Sequence, residues 1–264
     1  MTLTVGSLFS GIGGLDLGLE RAGMRVVWQS EIDPYACKVL AKHWPEVPNH
    51  GDIKRIDWRT VEPVDVICGG YPCQPFSLAG QRRGTDDPRH LWPWVRDAIS
   101  NLRPRYAILK NVRGHLSLGG TTVLGELAEV GYDAEWRVVS AAGLGAAHRR
   151  DRLIVVAYPN SQSQSDGSKH EVGLVADADG PRREHSNEER SSCATLGERY
   201  AVFQQAEPSD CIERAKSYWV CEPSVGRVAD GIPARMDRLR GLGNAVVPQV
   251  AEYVGRLVMA YAHE

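Results

Sequence analysis

Long hydrophobic runs are what this chain lacks first: none approaches the ~20 residues that a membrane-spanning helix needs. No basic leader precedes the strand-like residues 3–9, so a secretory signal is not expected and a cytoplasmic location is. Paired cysteines are missing as well. Cys37, Cys68, Cys73, Cys193, Cys211 and Cys221 form no CxxC and no regular framework, which argues against zinc or any other metal and for reduced thiols. An excess of either charge is missing too, because 31 basic and 33 acidic residues leave a formal net charge of only −2, which does not advertise a partner of opposite sign. Among the 31 basic residues only six are lysine, leaving 25 arginines. Arginine suits bidentate contact with phosphate and guanine, although a GC-rich genome would supply the same bias.

What is present suits one α/β domain with a modest insertion, or one large and one small domain: 264 residues, 42% of them hydrophobic, with no visible internal repeat. The chain is organised around Gly69-Gly70-Tyr71-Pro72-Cys73-Gln74-Pro75-Phe76-Ser77. An apolar run, residues 64–68, reads as a buried strand closed by two glycines, and Cys73 then falls between two prolines on a loop that can continue neither strand nor helix. A lone cysteine is ordinarily one more small apolar residue. A thiol on a stiff loop at the carboxyl end of a buried strand is where open α/β sheets carry reactive groups, so Cys73 is the first candidate nucleophile.

Residues 3–9 read as a first strand leading into Ser10-Gly11-Ile12-Gly13-Gly14 and a helix over 15–23, with Leu15, Leu19 and Ala22 on one face. Strand, glycine turn and helix make a corner that lets a ligand approach the backbone and favours a negative group at the helix N-terminus. A second strand, 25–30, ends at Glu31, about 20 residues past the turn, where an acidic residue grips ribose hydroxyls in such folds. A helix over 33–43 follows, capped by Asp33-Pro34, and then Gly51-Asp52-Ile53, where Asp52 is placed to accept from an adenine amino group. Further on, the patterns predict helices over 91–102 and 121–130 and strands over 106–109, 135–140 and 153–157. A basic turn, His148-Arg149-Arg150-Asp151-Arg152, sits between the last two strands. Residues 79–89 are rich in glycine, arginine and aspartate and read as a mobile loop. Residues 159 to about 215 are polar without an apolar period and read as a poorly packed region. The pattern recovers at residue 237, with Leu239–Ala245 leading into a periodic C-terminal helix that should pack back on the first domain.

Taken in order, Phe9-Ser10-Gly11-Ile12-Gly13-Gly14, Glu31, Asp52-Ile53, Pro72-Cys73-Gln74, Asn111-Val112, Arg150-Asp151-Arg152 and Gly243-Asn244 resemble the C5-cytosine DNA methyltransferases. The resemblance covers 1–158 and about 227–262. It implies a class I methyltransferase fold, Rossmann-like, with a mixed seven-stranded sheet. It divides the chain into a catalytic domain over 1–158, a small target-recognition region over 159–228, and a segment over 229–264 that returns to the catalytic domain. The implied cofactor is S-adenosyl-L-methionine, held by Phe9, Ser10, Gly11, Gly13, Gly14, Leu15, Glu31, Ile32, Asp52, Ile53, Gly70, Pro72, Leu91, Asn244 and Val246. The implied substrate is double-stranded DNA with a flipped cytosine, met by Gln74, Ser77, Asn111 and His148. Cys73, Lys110, Arg150 and Arg152 would carry the chemistry. The protein would act as a monomer, with a cognate restriction endonuclease as a possible partner.

One position departs from the family. Where it has glutamate before Asn111-Val112, this chain has Lys110, which can donate to a pyrimidine nitrogen but cannot accept from its exocyclic amine. Burial and a neighbouring Arg152 should both work against its charge. The expected consequence is a loss of the order of general acid catalysis, roughly 10²–10⁴-fold. Two other readings stand beside an active enzyme. One is a catalytically silent DNA- and cofactor-binding homologue. The other is a nucleotide-dependent oxidoreductase with a thiol nucleophile, which leaves the arginine and Gly243-Asn244 blocks without a role.

Overall fold

A computed structural model describes residues 2–72, 91–117, 119–146, 148–160 and 235–262. Cys73, Gln74 and Ser77, the glycine- and arginine-rich stretch after them, and most of the polar region, whose Arg182, Arg183, Arg190 and Arg199 are the sequence's candidates for phosphate or guanine contacts, lie outside the described residues.

Six strands, β1 (Thr4–Leu8), β2 (Arg25–Ser30), β3 (Val66–Gly69), β4 (Tyr106–Val112), β5 (Tyr132–Ser140) and β6 (Asp151–Pro159), form one sheet in the order β2-β1-β3-β4-β6-β5. The first four run parallel, while β6 lies antiparallel to both β4 and β5. The topology turns at β1, whose neighbours lie on either side of it. The crevice beyond the carboxyl ends of its parallel strands is where such sheets bind ligands.

Six strands are present among the described residues, and a seventh is not found there. Beside β2 the chain makes only an isolated bridge, in which the Gln29 N–H donates to the Pro48 carbonyl (2.9 Å) and the His50 N–H to the Gln29 carbonyl (2.8 Å). Proline has no N–H for a ladder, and Gly51 turns the backbone away at φ 72°, so pairing stops there.

Helices α1 (Gly14–Arg21), α2 (Pro34–His43), α3 (Trp92–Leu102), α4 (Gly120–Glu129), α5 (Arg235–Asn244) and α6 (Pro248–Ala262) complete the described architecture. The start of α2 is fixed by Asp33, whose Oδ1 accepts from the N–H groups of Tyr35 and Ala36 at 3.0 and 2.9 Å, with Pro34 at the first helical position. The two-residue period of the strands sorts the core into two layers. Ile67, Leu109, Leu153 and Val155 face one layer with Val95 and Ile99 of α3 and Leu127 of α4. Val66, Cys68, Ile108, Ile154 and Val156 face the other, with Leu15 and Leu19 of α1 and Val250, Val254 and Val258 of α6.

The contact of α6 with α1 is close because both helices present glycine. A side chain at Gly18 would strike Ala251 and the Pro248 carbonyl, and one at Gly255 would come within 2.7 Å of the Ala22 Cβ. The last helix thus returns to the first, and α5, a helix in its own right rather than a lead-in, is brought over the glycine turn. Arg240 of α5 lies 3.8 Å from Asp33, and Gly241 packs on Ile12.

Candidate active site

A cavity of about 790 Å³ opens at the carboxyl ends of β1 to β4 and is closed on one side by α5 and the link to α6. That volume lies within the range of small-molecule sites. Its wall includes Phe9, Ser10, Gly11, Gly14 and Leu15 of the first corner, Glu31 and Ile32 after β2, and Asp52 and Ile53. Gly70, Pro72, Leu91, Asn244 and Val246 complete that side, and Lys110, Asn111 and Arg152 stand in the same wall. Gly13, His148 and Arg150 are not part of the wall.

The glycines of the turn differ in what requires them. A side chain at Gly13 would meet the Trp44 ring, and one at Gly14 the Val246 carbonyl, so both are demanded by packing. Gly11 has φ 56°, and a Cβ there would meet nothing nearer than the Phe9 carbonyl at 3.9 Å. Its open side belongs to the cavity. Phe9 also adopts a left-handed backbone, φ 52°, unusual for a side chain of that size.

Glu31 closes the corner. Its Oε2 accepts from the Gly11 N–H at 2.7 Å, and its Oε1 from the N–H groups of Ile32 and Asp33, each at 2.8 Å. Across from it, Asp52 Oδ1 accepts from the Lys54 N–H (3.0 Å) and starts the short helical turn Ile53–Arg55. Each carboxylate keeps lone pairs for a ligand. Two carboxylates, backbone amides of a glycine turn and an apolar wall in one cavity are a donor and acceptor set that fits an adenosine-type cofactor.

The other end of the wall is cationic. Because β6 runs antiparallel, its first residues reach the edge where β4 ends. Val112 pairs with Arg152 and Lys110 with Ile154, so Lys110 and Arg152 share one face of the sheet. Lys110 is half-buried rather than buried, and its Nζ donates to the Asn244 carbonyl at 3.3 Å. Arg152 Nη1 donates to the Asp151 carbonyl at 2.8 Å. Asn111 is buried; its Oδ1 accepts from the Val112 N–H (2.9 Å), and its Nδ2 has no partner among the described residues.

Arg150 is turned elsewhere. Its Nη2 donates to the carbonyls of Leu242 (3.2 Å), Gly243 (2.6 Å) and Ala245 (2.6 Å). A guanidinium on the last carbonyls of a helix satisfies groups the helix leaves open, so Arg150 fastens α5 to the sheet.

Three features escaped the sequence reading. Tyr71, immediately before Pro72, is buried, with its hydroxyl 2.9 Å from His115 Nε2 and its ring 5.3 Å from that of Trp92. The strand leading to Cys73 is therefore anchored at its last described residues. The two described thiols, Cys37 and Cys68, are both pushed up in pKa, chiefly by burial, and are poor nucleophiles.

The third feature is Asp16, wholly buried beneath the glycine turn, where it accepts from Ser7 Oγ (3.0 Å) and Gln29 Nε2 (2.8 Å). Burial lifts its pKa from 3.8 to about 6, against the pull of the Gln29 and Ser7 bonds. The folded chain thus holds this proton across a window in which the unfolded chain has lost it. Stability from this group is full below about pH 4 and falls as pH rises to about 6, a change of about 3 kcal/mol. Asp16→Asn should therefore gain on the unmodified protein as pH rises, by about 1–2 kcal/mol at pH 7.5 after allowing for one mismatched hydrogen bond. Denaturant melts from pH 4 to pH 8 check this, and a difference that does not change with pH would refute it.

Solved structures of the same fold are methyltransferases. A mutant of Spodoptera frugiperda DNMT2 superposes with a TM-score of 0.62 at 18% identity, covering 98% of this chain and 100% of that one. The Entamoeba histolytica methyltransferase EhMeth superposes with a TM-score of 0.62 at 18% identity, covering 99% of each. The chain thus shares the mixed α/β fold of these two proteins. The sequence profile of the C-5 cytosine-specific DNA methylase family matches residues 3–207, and the chain belongs to that family. It is 39% identical to the Type II methyltransferase M.Eco47II of Escherichia coli over 176 residues, 64% of this chain and 42% of that protein. It is 34% identical to M.NgoMIV of Neisseria gonorrhoeae over 165 residues, 61% of this chain and 53% of that protein. The chain thus spans about two fifths to half the length of these curated relatives.

Proposed function

We propose that the chain is a DNA (cytosine-5-)-methyltransferase that uses S-adenosyl-L-methionine, with Cys73 as the attacking thiolate. The observation that supports this most directly is the single cavity joining the glycine turn, Glu31 and Asp52 to Pro72, Lys110 and Arg152. A cofactor site and a cationic pyrimidine site share one wall, and Cys73 follows Pro72 in sequence.

S-adenosylmethionine, when bound, supplies an electrophilic methyl group. The protein's own groups do the rest. Gly11 and Glu31 orient the nucleoside end, with Asp52 opposite. Cytosine C5 is not nucleophilic in the intact ring, so the Cys73 sulfur first forms a bond to C6 and its electron pair is carried through the ring to N3. C5, now enamine-like, accepts the methyl group. Loss of the C5 proton to a base then restores the C5–C6 bond and expels the thiolate. Arg152 steadies the charge that develops on the pyrimidine. The base must leave the stack to be reached, at a few kcal/mol. Residues 1–158 with 229–264 form the catalytic part in this reading, 159–228 read the target sequence, and the setting is a restriction-modification system with a cognate endonuclease.

Transfer of labelled methyl groups to DNA tests the activity, and bisulfite sequencing of DNA from expressing cells reports activity and target together. Unmethylated DNA from both would point to the silent homologue. Glu31→Ala should weaken binding of S-adenosylmethionine and of its demethylated product roughly 10- to 100-fold, the scale of hydrogen bonds to a charged group. Calorimetry in which the unmodified protein bound neither compound would remove the methyltransferase reading altogether.

A further inference from the structure

Asn49 has no role in any family block noted above, yet its side chain joins both acidic lips of the cavity. Its Oδ1 accepts from the N–H groups of Glu31 (2.9 Å) and Gly51 (3.0 Å). Its Nδ2 donates to the Glu31 carbonyl (3.1 Å) and to Cys37 Sγ (3.3 Å), and the Cys37 thiol donates to the same Glu31 carbonyl (3.3 Å).

The arrangement follows from where the sheet ends. Along a strand, the N–H and C=O groups of residues i and i+2 point to the same side. Gln29 spends its pair on the backbone of residues 48–50, and Glu31 presents the next pair on that side. By then Gly51, at φ 72°, has turned the main chain away. The Asn49 amide, with one acceptor and one donor on a short stem, supplies the two bonds that another strand residue would have made. Glu31 is thereby held as though still in the sheet, and its carboxylate stays aimed at the Gly11 N–H. The same Oδ1 fixes Gly51, and with it the start of the Asp52 turn. Ser30 Oγ adds a second tie to the Gly51 carbonyl (2.7 Å), so loss of Asn49 would loosen the lips without freeing them.

We propose that Asn49 is a positioning residue for cofactor binding, which fixes the distance and aim of Glu31 and Asp52 across the site. The proposal rests on the methyltransferase reading above. Asn49 is itself exposed and fills no core space, so its removal should spare the fold.

The test is calorimetric binding of S-adenosylhomocysteine to the full chain, with thermal melts and steady-state kinetics alongside. Asn49→Ala should weaken binding roughly ten-fold, raise the KM for S-adenosylmethionine by a similar factor, and leave the melting temperature and the KM for DNA unchanged. Asn49→Asp keeps the acceptor for Glu31 and Gly51 but loses the donor to the Glu31 carbonyl, so it should fall between. Asn101→Ala, which removes one surface bond to the Asp97 carbonyl, should match the unmodified protein throughout. Affinity unchanged in Asn49→Ala, or a lower melting temperature with affinity intact, would overturn the proposal while leaving the methyltransferase reading in place. No binding by the unmodified protein would instead overturn that reading, and the proposal with it.

Discussion

Replacing Cys73 with serine should reduce methyl transfer by roughly 10³-fold or more, to background, because an alcohol is barely ionised where a thiol is an effective nucleophile. No other described cysteine can take over. Cys68 is fully buried among apolar side chains, Cys37 is held by Asn49 and the Glu31 carbonyl, and burial raises the pKa of both. DNA binding should persist in Cys73→Ser, since arginine contacts to phosphates supply most of the affinity in such complexes. DNA carrying 5-fluorocytosine separates the two effects. A fluorine at C5 cannot leave as a proton does, so the bond from Cys73 to C6 should survive denaturation in the unmodified protein and be absent in the variant. Full activity of Cys73→Ser, or a covalent complex that persists without the thiol, would refute the addition mechanism.

The parts of the molecule that could be read from sequence are those in which one physical signal dominates. Asp33-Pro34 starts α2 because a carboxylate and a fixed φ both favour a helix there. The stripe Val250, Val254 and Val258 is buried because α6 has a single apolar face to hide. Where two signals conflict, the sequence misleads. Arg235–Asn244 carries arginines, glycines and an aspartate, and its Met236, Leu239 and Leu242 are exposed, so no buried stripe announces α5 as a helix.

Asp16 reads as the polar face of α1, yet it is buried, since the strands beneath it offer Ser7 and Gln29 instead of apolar residues. Ser7 and Gln29, polar residues directly beside the apolar core positions of β1 and β2, are the sign the sequence offers. Arg150 and Arg152 lie two apart and look equivalent in a basic turn. Arg150, at φ 35°, spends its guanidinium on the end of α5, while Arg152, already in β6, stands in the cavity wall. No local pattern separates them. The difference arises from the antiparallel pairing of β6 with β4, which the chain makes only when folded.

Lys110→Glu should raise the rate of methyl transfer roughly ten-fold at least, and up to the roughly 10²–10⁴-fold that a well-placed general acid contributes. The geometry gives the reason. Lys110 stands at the end of β4 on the same face as Arg152, half-buried, with Nζ on the Asn244 carbonyl and close to Gly70. A lysine there brings only donors to a pyrimidine whose exocyclic amine also needs an acceptor. A glutamate brings both. Protonated, it can give its proton to N3 as Cys73 adds at C6, and its other oxygen accepts from the amine, which separates cytosine from thymine. Arg152 beside it would keep the carboxylate oriented between turnovers. The exchange costs the bond to the Asn244 carbonyl, which tethers the link between α5 and α6. Cofactor affinity should nevertheless change little, because Gly11, Glu31 and Asp52 are untouched and Arg150 still holds the Gly243 and Ala245 carbonyls on either side of Asn244. Single-turnover methyl transfer by the two proteins, on the same DNA at matched pH and salt, is the measurement. A glutamate variant no faster than the unmodified protein would clear Lys110, and the search for a limit on turnover would move to residues 159–228 and their engagement of DNA.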